Sequence, residues 1–178
     1  MTDWWVHRYW AADPVLLIAW IVWVVVSIVL HELGHGYAAE REGDPTPRRS
    51  GHLTLNPAVH IPPFAWVLFA FVGITWGLMP VRPENFRRGR VSEAVVAVAG
   101  PLVNIGLAVA LILLTALWMR FGTGSPQTLA GVYTFLIVGA SLNITLALFN
   151  MLPLPPLDGS RILGALVPPL EKWLLEPR

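Results

Sequence analysis

The chain has 178 residues, 55% of them hydrophobic, and a mean hydropathy of +0.60, which excludes an ordinary soluble domain and points to one integral membrane domain over 1–178. Its formal net charge is +1 and its basic residues are scattered around the apolar runs, which argues against nucleic acid as a partner. Cysteine is absent, so a disulfide, a thiolate metal site and a thiol nucleophile are all excluded.

Residues 1–13 carry Trp4, Trp5, Tyr9 and Trp10 beside His7 and Arg8. They read as an interfacial anchor with its rings at headgroup level, a ligand-binding aromatic patch being the alternative. A first span follows over 14–42 and stops at Gly43-Asp44-Pro45. It is too long for a signal peptide and carries His31-Glu32-Leu33-Gly34-His35, so it is expected to be retained. On a helix His31 and His35 stand one turn apart on one face. This is the spacing a tetrahedral metal ion needs from two imidazoles, with Glu32 placed to act on the metal's water. From Pro14 to Leu30 the helix climbs about 25 Å against a hydrocarbon core of about 30 Å, so the group lies inside the membrane, near the far face, where water reaches it. Polar groups at that depth are costly and mark a function or a partner. The alternative is a chance match held by interhelical hydrogen bonds.

Residues 46–60 are turn-rich around a strand-like alternation, Gly51 to Leu55, a small β-like loop after the first helix. His52 and His60 fall here without ligand spacing, and read as interfacial or bonded to backbone rather than as metal ligands. Residues 62–80 are apolar but short, bracketed by prolines and interrupted by Gly73 and Gly77, so they form either a re-entrant element or a fourth span. After a basic loop, Arg82 to Arg90, a span is expected over 91–119, kinked at Pro101, with Asn104 making a polar contact to a neighbouring helix. The last long span covers 128–152 and ends in a proline-broken stretch; residues 160–178 form an amphipathic tail. The fold class expected is therefore an all-α integral membrane protein with three long transmembrane helices plus the short segment 62–80.

Two histidines need a third protein ligand. Six residues after His35, where metzincins place a third histidine, stands Arg41, which cannot ligate zinc. Glu40 and Glu42 lie too near in sequence to fold back. Glu93 opens a helix and reaches the ion only in a particular packing. Asp158 is better placed, after the prolines and before Gly159, although an ordinary Asp-Gly turn accounts for it as well.

The chain from about residue 15 to 165 resembles the site-2 protease family of intramembrane zinc metalloproteases, in the compact form without PDZ or CBS domains. His31-Glu32-Leu33-Gly34-His35 is similar to that family's zinc motif and Phe149 to Gly159 to its second signature, while Gly51–Pro57 and Ala99–Asn104 are similar to recurring family segments. The resemblance implies one Zn2+ held by His31, His35 and Asp158, Glu32 as general base, and hydrolysis of a peptide bond in or near a transmembrane helix of a protein substrate. It also associates Asn150 with substrate handling; Leu53, Thr54 and Leu55 are candidates to hold an unwound substrate by strand addition. The competing expectation is an inactive membrane zinc protein that binds or escorts partners; the presence of Glu32 argues against it. A parity argument gives the topology. His35 and Asp158 must meet on one face, so 62–80 dips in and returns, or lies along the membrane, without crossing. The arginine-rich face is then cytoplasmic by the positive-inside rule, in a multi-pass protein of the cell membrane with its N-terminus outside.

Overall fold

The computed structural model describes residues 4–167. Its first helix, α1 (Trp5–Ala12), is followed at once by α2 (Pro14–Arg41), whose start is fixed by Pro14 and by the Asp13 carboxylate accepting from the Val15 N–H at 2.8 Å. Two helical turns, α3 (Thr46–Arg49) and α4 (Pro57–His60), lead into α5 (Pro63–Val72). Then come α6 (Arg90–Phe121), α7 (Pro126–Asn150) and α8 (Asp158–Leu166). Helices α2, α6 and α7 are each long and apolar enough to cross a bilayer. They pack closely because small residues sit where they meet. Gly34 lies against Ala99 and Val103 of α6, and Gly139 of α7 against the Trp23 indole, whose N–H donates to the Phe135 carbonyl at 2.9 Å. Outward, α6 exposes Leu102, Ile105, Val109, Leu113 and Leu117, the surface a lipid-facing helix needs. The expected kink residue, Pro101, is buried within α6, which runs on through it as helix.

Residues 62–80 form a hairpin. The ten-residue α5 measures about 15 Å at 1.5 Å per residue. It ends at Gly73, whose φ of 82° is the left-handed conformation that reverses the chain. An extended limb then returns, so that the Leu78 N–H donates to the His60 carbonyl at 2.8 Å and the Arg82 N–H to the Asp44 carboxylate at 2.7 Å. Both ends of the hairpin thus lie at the His31–His35 end of α2. Its tip packs among aromatics: Trp4 and Trp5 donate their indole N–H groups to the Ala70 carbonyl at 3.0 and 3.1 Å, and Trp20 donates to that of Gly73 at 2.8 Å. Trp5 also packs on Phe69, and Tyr9 on Trp20. The expected N-terminal anchor is therefore a short helix with Trp4 and Trp5 at its start, both of which donate to one carbonyl, Ala70, that α5 leaves open at its end.

The β-like loop is not a strand. Among the described residues none is in a strand, and Gly51–Leu55 is a series of turns. The period-2 alternation there has no partner to pair with, and its polar groups are used locally. The Thr54 carbonyl lies 2.7 Å from His60 Nε2, and the Thr54 hydroxyl accepts from the Asn56 N–H at 3.2 Å. Residues 151–157, expected partly within the last span, are turns because Pro153, Pro155 and Pro156 cannot continue α7. Of the expected amphipathic tail, 160–167 belongs to α8 and its end; 168–178 lies outside the described residues.

Past α2 a polar staple holds the loops. Arg88 hydrogen-bonds the Glu42 carboxylate, as does Ser92, and these contacts hold the Glu42 carboxyl below the usual carboxylate range. Asp44 is fully buried, which alone would raise its pKa. Bonds from Thr46, the Arg82 N–H and Asn85 more than offset this and leave it lowered.

Candidate metal centre

The buried end of α2 presents His31, Glu32 and His35, each 8% exposed. The helical period that puts the imidazoles on one face brings their Nε2 atoms within 3.0 Å. Asp158 reaches them from the start of α8, its Oδ2 standing 3.2 Å from His31 Nε2 and 3.3 Å from His35 Nε2. Two features aim it there. The prolines stop α7 and turn the chain back, and Gly159 packs so tightly on the carbonyls of Met151 and Leu152 that no Cβ fits. On the other side Gly100 of α6 fills the place where a side chain would strike both imidazole rings.

The three groups suit a metal ion. Among the described residues they are the set of His and acid groups whose ligand atoms converge, all within 4.8 Å of one another. Asp158 Oδ2 is buried with no hydrogen-bond partner among the described residues. His35 Nδ1 lies 2.7 Å from the Val96 carbonyl, which can only accept, so Nδ1 carries a proton and, in the neutral ring that binds a metal, Nε2 is the free lone pair. A carboxylate oxygen and an imidazole lone pair held this close call for a cation between them. Ligands about 2.0–2.2 Å from a tetrahedral zinc stand roughly 3.3–3.6 Å apart, close to these spacings.

The three residues and Glu32 line a cavity of about 390 Å³, whose other walls are the return limb Thr75–Met79, Ile28, Phe149, Asn150 and Arg161. Glu32 lies directly beneath the limb, where a Cβ on Gly77 would come within 2.5 Å of its Cγ and Oε1. Asn150 lines the cavity at the end of α7, its amide donating to the Leu146 carbonyl at 3.0 Å. Glu93 lines the cavity without joining the three converging groups. Leu53, Thr54 and Leu55 do not line it: Leu53 faces Gly36, and Leu55 is 70% exposed. His60 is wholly buried behind the loop with its Nε2 on the Thr54 carbonyl, in keeping with a backbone-bonded histidine. Sequence reasoning missed Gly77, Gly100 and Asn143. Of these only Asn143, a carboxamide deep in an apolar run, carried a signal of its own.

Apolar helices long enough to span a bilayer, with a converging His-His-Asp set and a glutamate beside it, define a membrane protein with a metallohydrolase-type centre. The model of peptidase family M50 matches residues 19–126 and 116–177, and the chain belongs to that family, as a site-2 protease-like zinc metalloprotease. It is 39% identical over 151 residues to YwhC of Bacillus subtilis, covering 84% of this chain and 69% of that protein. It is 34% identical over 158 residues to Rip2 of Mycobacterium tuberculosis, covering 86% of this chain and 59% of the relative. To MJ0392 of Methanocaldococcus jannaschii it is 29% identical over 159 residues, 89% of this chain and 35% of the relative. The first two are named as candidate zinc metalloproteases and the third as a zinc metalloprotease. The chain thus spans about two thirds or less of the length of each. No solved structure matches it.

Proposed function

We propose that this chain is an intramembrane endopeptidase that cuts a peptide bond in or near a transmembrane helix of another protein, using one zinc ion. The observation that carries the reading is the position of Glu32, adjacent in sequence to one ligand of the converging set and buried in the same apolar-walled cavity. His31, His35 and Asp158 would hold the ion, which when bound supplies Lewis acidity to the scissile carbonyl and to water. Glu32 takes the proton of the attacking water and returns it to the departing amine nitrogen. The return limb and the end of α7 wall the cavity on either side, and Asn150 among those walls orients an unwound substrate segment by its carboxamide. A substrate helix must unwind before its bonds enter, since helical peptide groups are shielded by their own hydrogen bonds.

Orientation follows from charge. Arg41, Arg48, Arg49, Arg82, Arg87 and Arg88 lie on α2's last turn and the loops beyond it, whereas Arg8 and Arg120 lie on α1 and the far end of α6. By the positive-inside rule the site lies toward the cytoplasm of a cell-membrane protein. The test is co-expression with a panel of tagged single-span proteins. At least one should be cut by the wild type within or beside its apolar segment and left whole by Glu32→Gln. Equal cleavage by the variant would refute the reading.

A further inference from the structure

A chain of carboxamides runs through the middle of the helix bundle, and none of it is needed to hold the helices' own backbones. Asn143 of α7 donates from Nδ2 to the Gly139 carbonyl at 2.9 Å and to the Ser27 hydroxyl at 2.9 Å. Its Oδ1 accepts from Asn104 Nδ2 of α6 at 2.8 Å. Asn104 Oδ1 in turn stands 2.6 Å from His31 Nδ1. Ser27, Asn104 and Asn143 have no exposed surface at all. Since Ser27 and His31 are one turn apart on α2, the ring of contacts passes through all three long helices and closes on the helix where it began.

The direction of this chain is fixed at one end. The Gly139 carbonyl can only accept, so the group of Asn143 that meets it is the NH2, and its oxygen must face Asn104. An oxygen there accepts only from an NH2, so Asn104 turns its own oxygen to His31. His31 must then carry a proton on Nδ1, so that in the neutral ring Nε2 is the lone pair facing Asp158 and His35.

We infer that Asn104 and Asn143 are positioning residues that set the tautomer and ring orientation of His31 from a backbone carbonyl of α7, and so tune the metal affinity of the site. His35 receives the same instruction from the Val96 carbonyl of α6. The bundle therefore writes both imidazoles into the one tautomer in which their Nε2 lone pairs converge. Groups that hydrogen-bond the far ring nitrogen of a ligating histidine are typically worth 10- to 100-fold in metal affinity. The inference rests on the reading of His31 as a metal ligand.

The test is zinc affinity, by chelator competition on detergent-solubilised full chain that elutes as folded protein. Asn104→Leu should bind zinc roughly 10- to 100-fold more weakly. Asn143→Leu, which frees the Asn104 amide to turn over, should also weaken binding. Asn104→Asp keeps an oxygen toward His31 but gives up the bond to Asn143 and buries a carboxylate, so it should lose stability yet retain zinc binding. Affinity unchanged in Asn104→Leu, or lost equally in Asn104→Asp, would overturn the inference. Should the leucine variants fail to fold, 15N spectra of histidine-labelled wild-type apoprotein decide it. The His31 signals, identified by their absence from His31→Gln, should show a proton on Nδ1; an Nδ1 without a proton refutes the relay. These spectra need neither zinc nor cleavage, so a wild type that binds no zinc would sink the proposed function separately.

Discussion

Two glycines set the chemistry at the level of single residues, because each stands where a side chain would collide with a reacting group. A methyl on Gly77 would lie 2.5 Å from Glu32 Cγ, so Gly77→Ala must displace either the base or the limb above it. Zinc should stay bound while cleavage falls by about 10²-fold or more, the scale of a misplaced acid–base group; metal analysis beside a cleavage assay reads both. A methyl on Gly100 strikes the imidazoles instead, so Gly100→Ala should reduce zinc content and activity together. The sequence shows Gly77 only as a break in 62–80 and Gly100 only within Ala99–Asn104, and the place of neither beside the site could be read from it. What makes each of them matter is the neighbour that packs against it, and that neighbour is more than 40 residues distant. The histidine pair was legible because the helical period alone sets its geometry. Asp158 was legible as the better candidate beside Glu93 and as the ligand that the family resemblance implies, although nothing local says which acid the fold returns to α2.

At the scale of elements, the hairpin 62–80 is the piece on which the site depends. Its shortness and its glycines were readable as a segment that turns back. The indole cap was not, because it depends on where α1 folds. Trp20→Phe keeps an aromatic ring but removes the N–H with the pyrrole half of the indole, leaving the Gly73 carbonyl unpaired. It should lower stability by about 1–3 kcal/mol, seen as a lower thermal midpoint with zinc stoichiometry intact. The misread element, Gly51–Leu55, shows the reverse failure: an alternating pattern without a partner strand is only a turn. The polar staple adds a pH dependence. Glu42 and Asp44 both titrate below their ordinary values in the folded chain. Their contribution is thus present above a pH of about 4 and lost as the pH falls through it toward their lowered folded values. The thermal midpoint should drop between about pH 5 and 3, and less so in an Asp44→Asn variant that is already destabilised at neutral pH.

For the whole molecule, the return of the hairpin to the His31–His35 end leaves α6 and α7 to carry the chain away and back, so Asp158 arrives on the side where α2 ends. The absence of native cysteine makes this arrangement easy to probe. Cysteines placed at Ser50 and Asn85 should be shielded from an impermeant thiol reagent in intact cells and one at Ser125 labelled; labelling of Asn85→Cys alone from outside would mean that the hairpin crosses. The claim on which everything else depends is that three side chains hold the metal and a fourth does the proton transfer. One measurement separates the two roles: zinc content of the purified full chain, set beside its cleavage activity, for the wild type, Glu32→Gln and Asp158→Ala. The expected result is near-stoichiometric zinc in the first two, cleavage in the first only, and loss of both zinc and cleavage in the third. Full zinc occupancy in Asp158→Ala, or undiminished cleavage in Glu32→Gln, would contradict it.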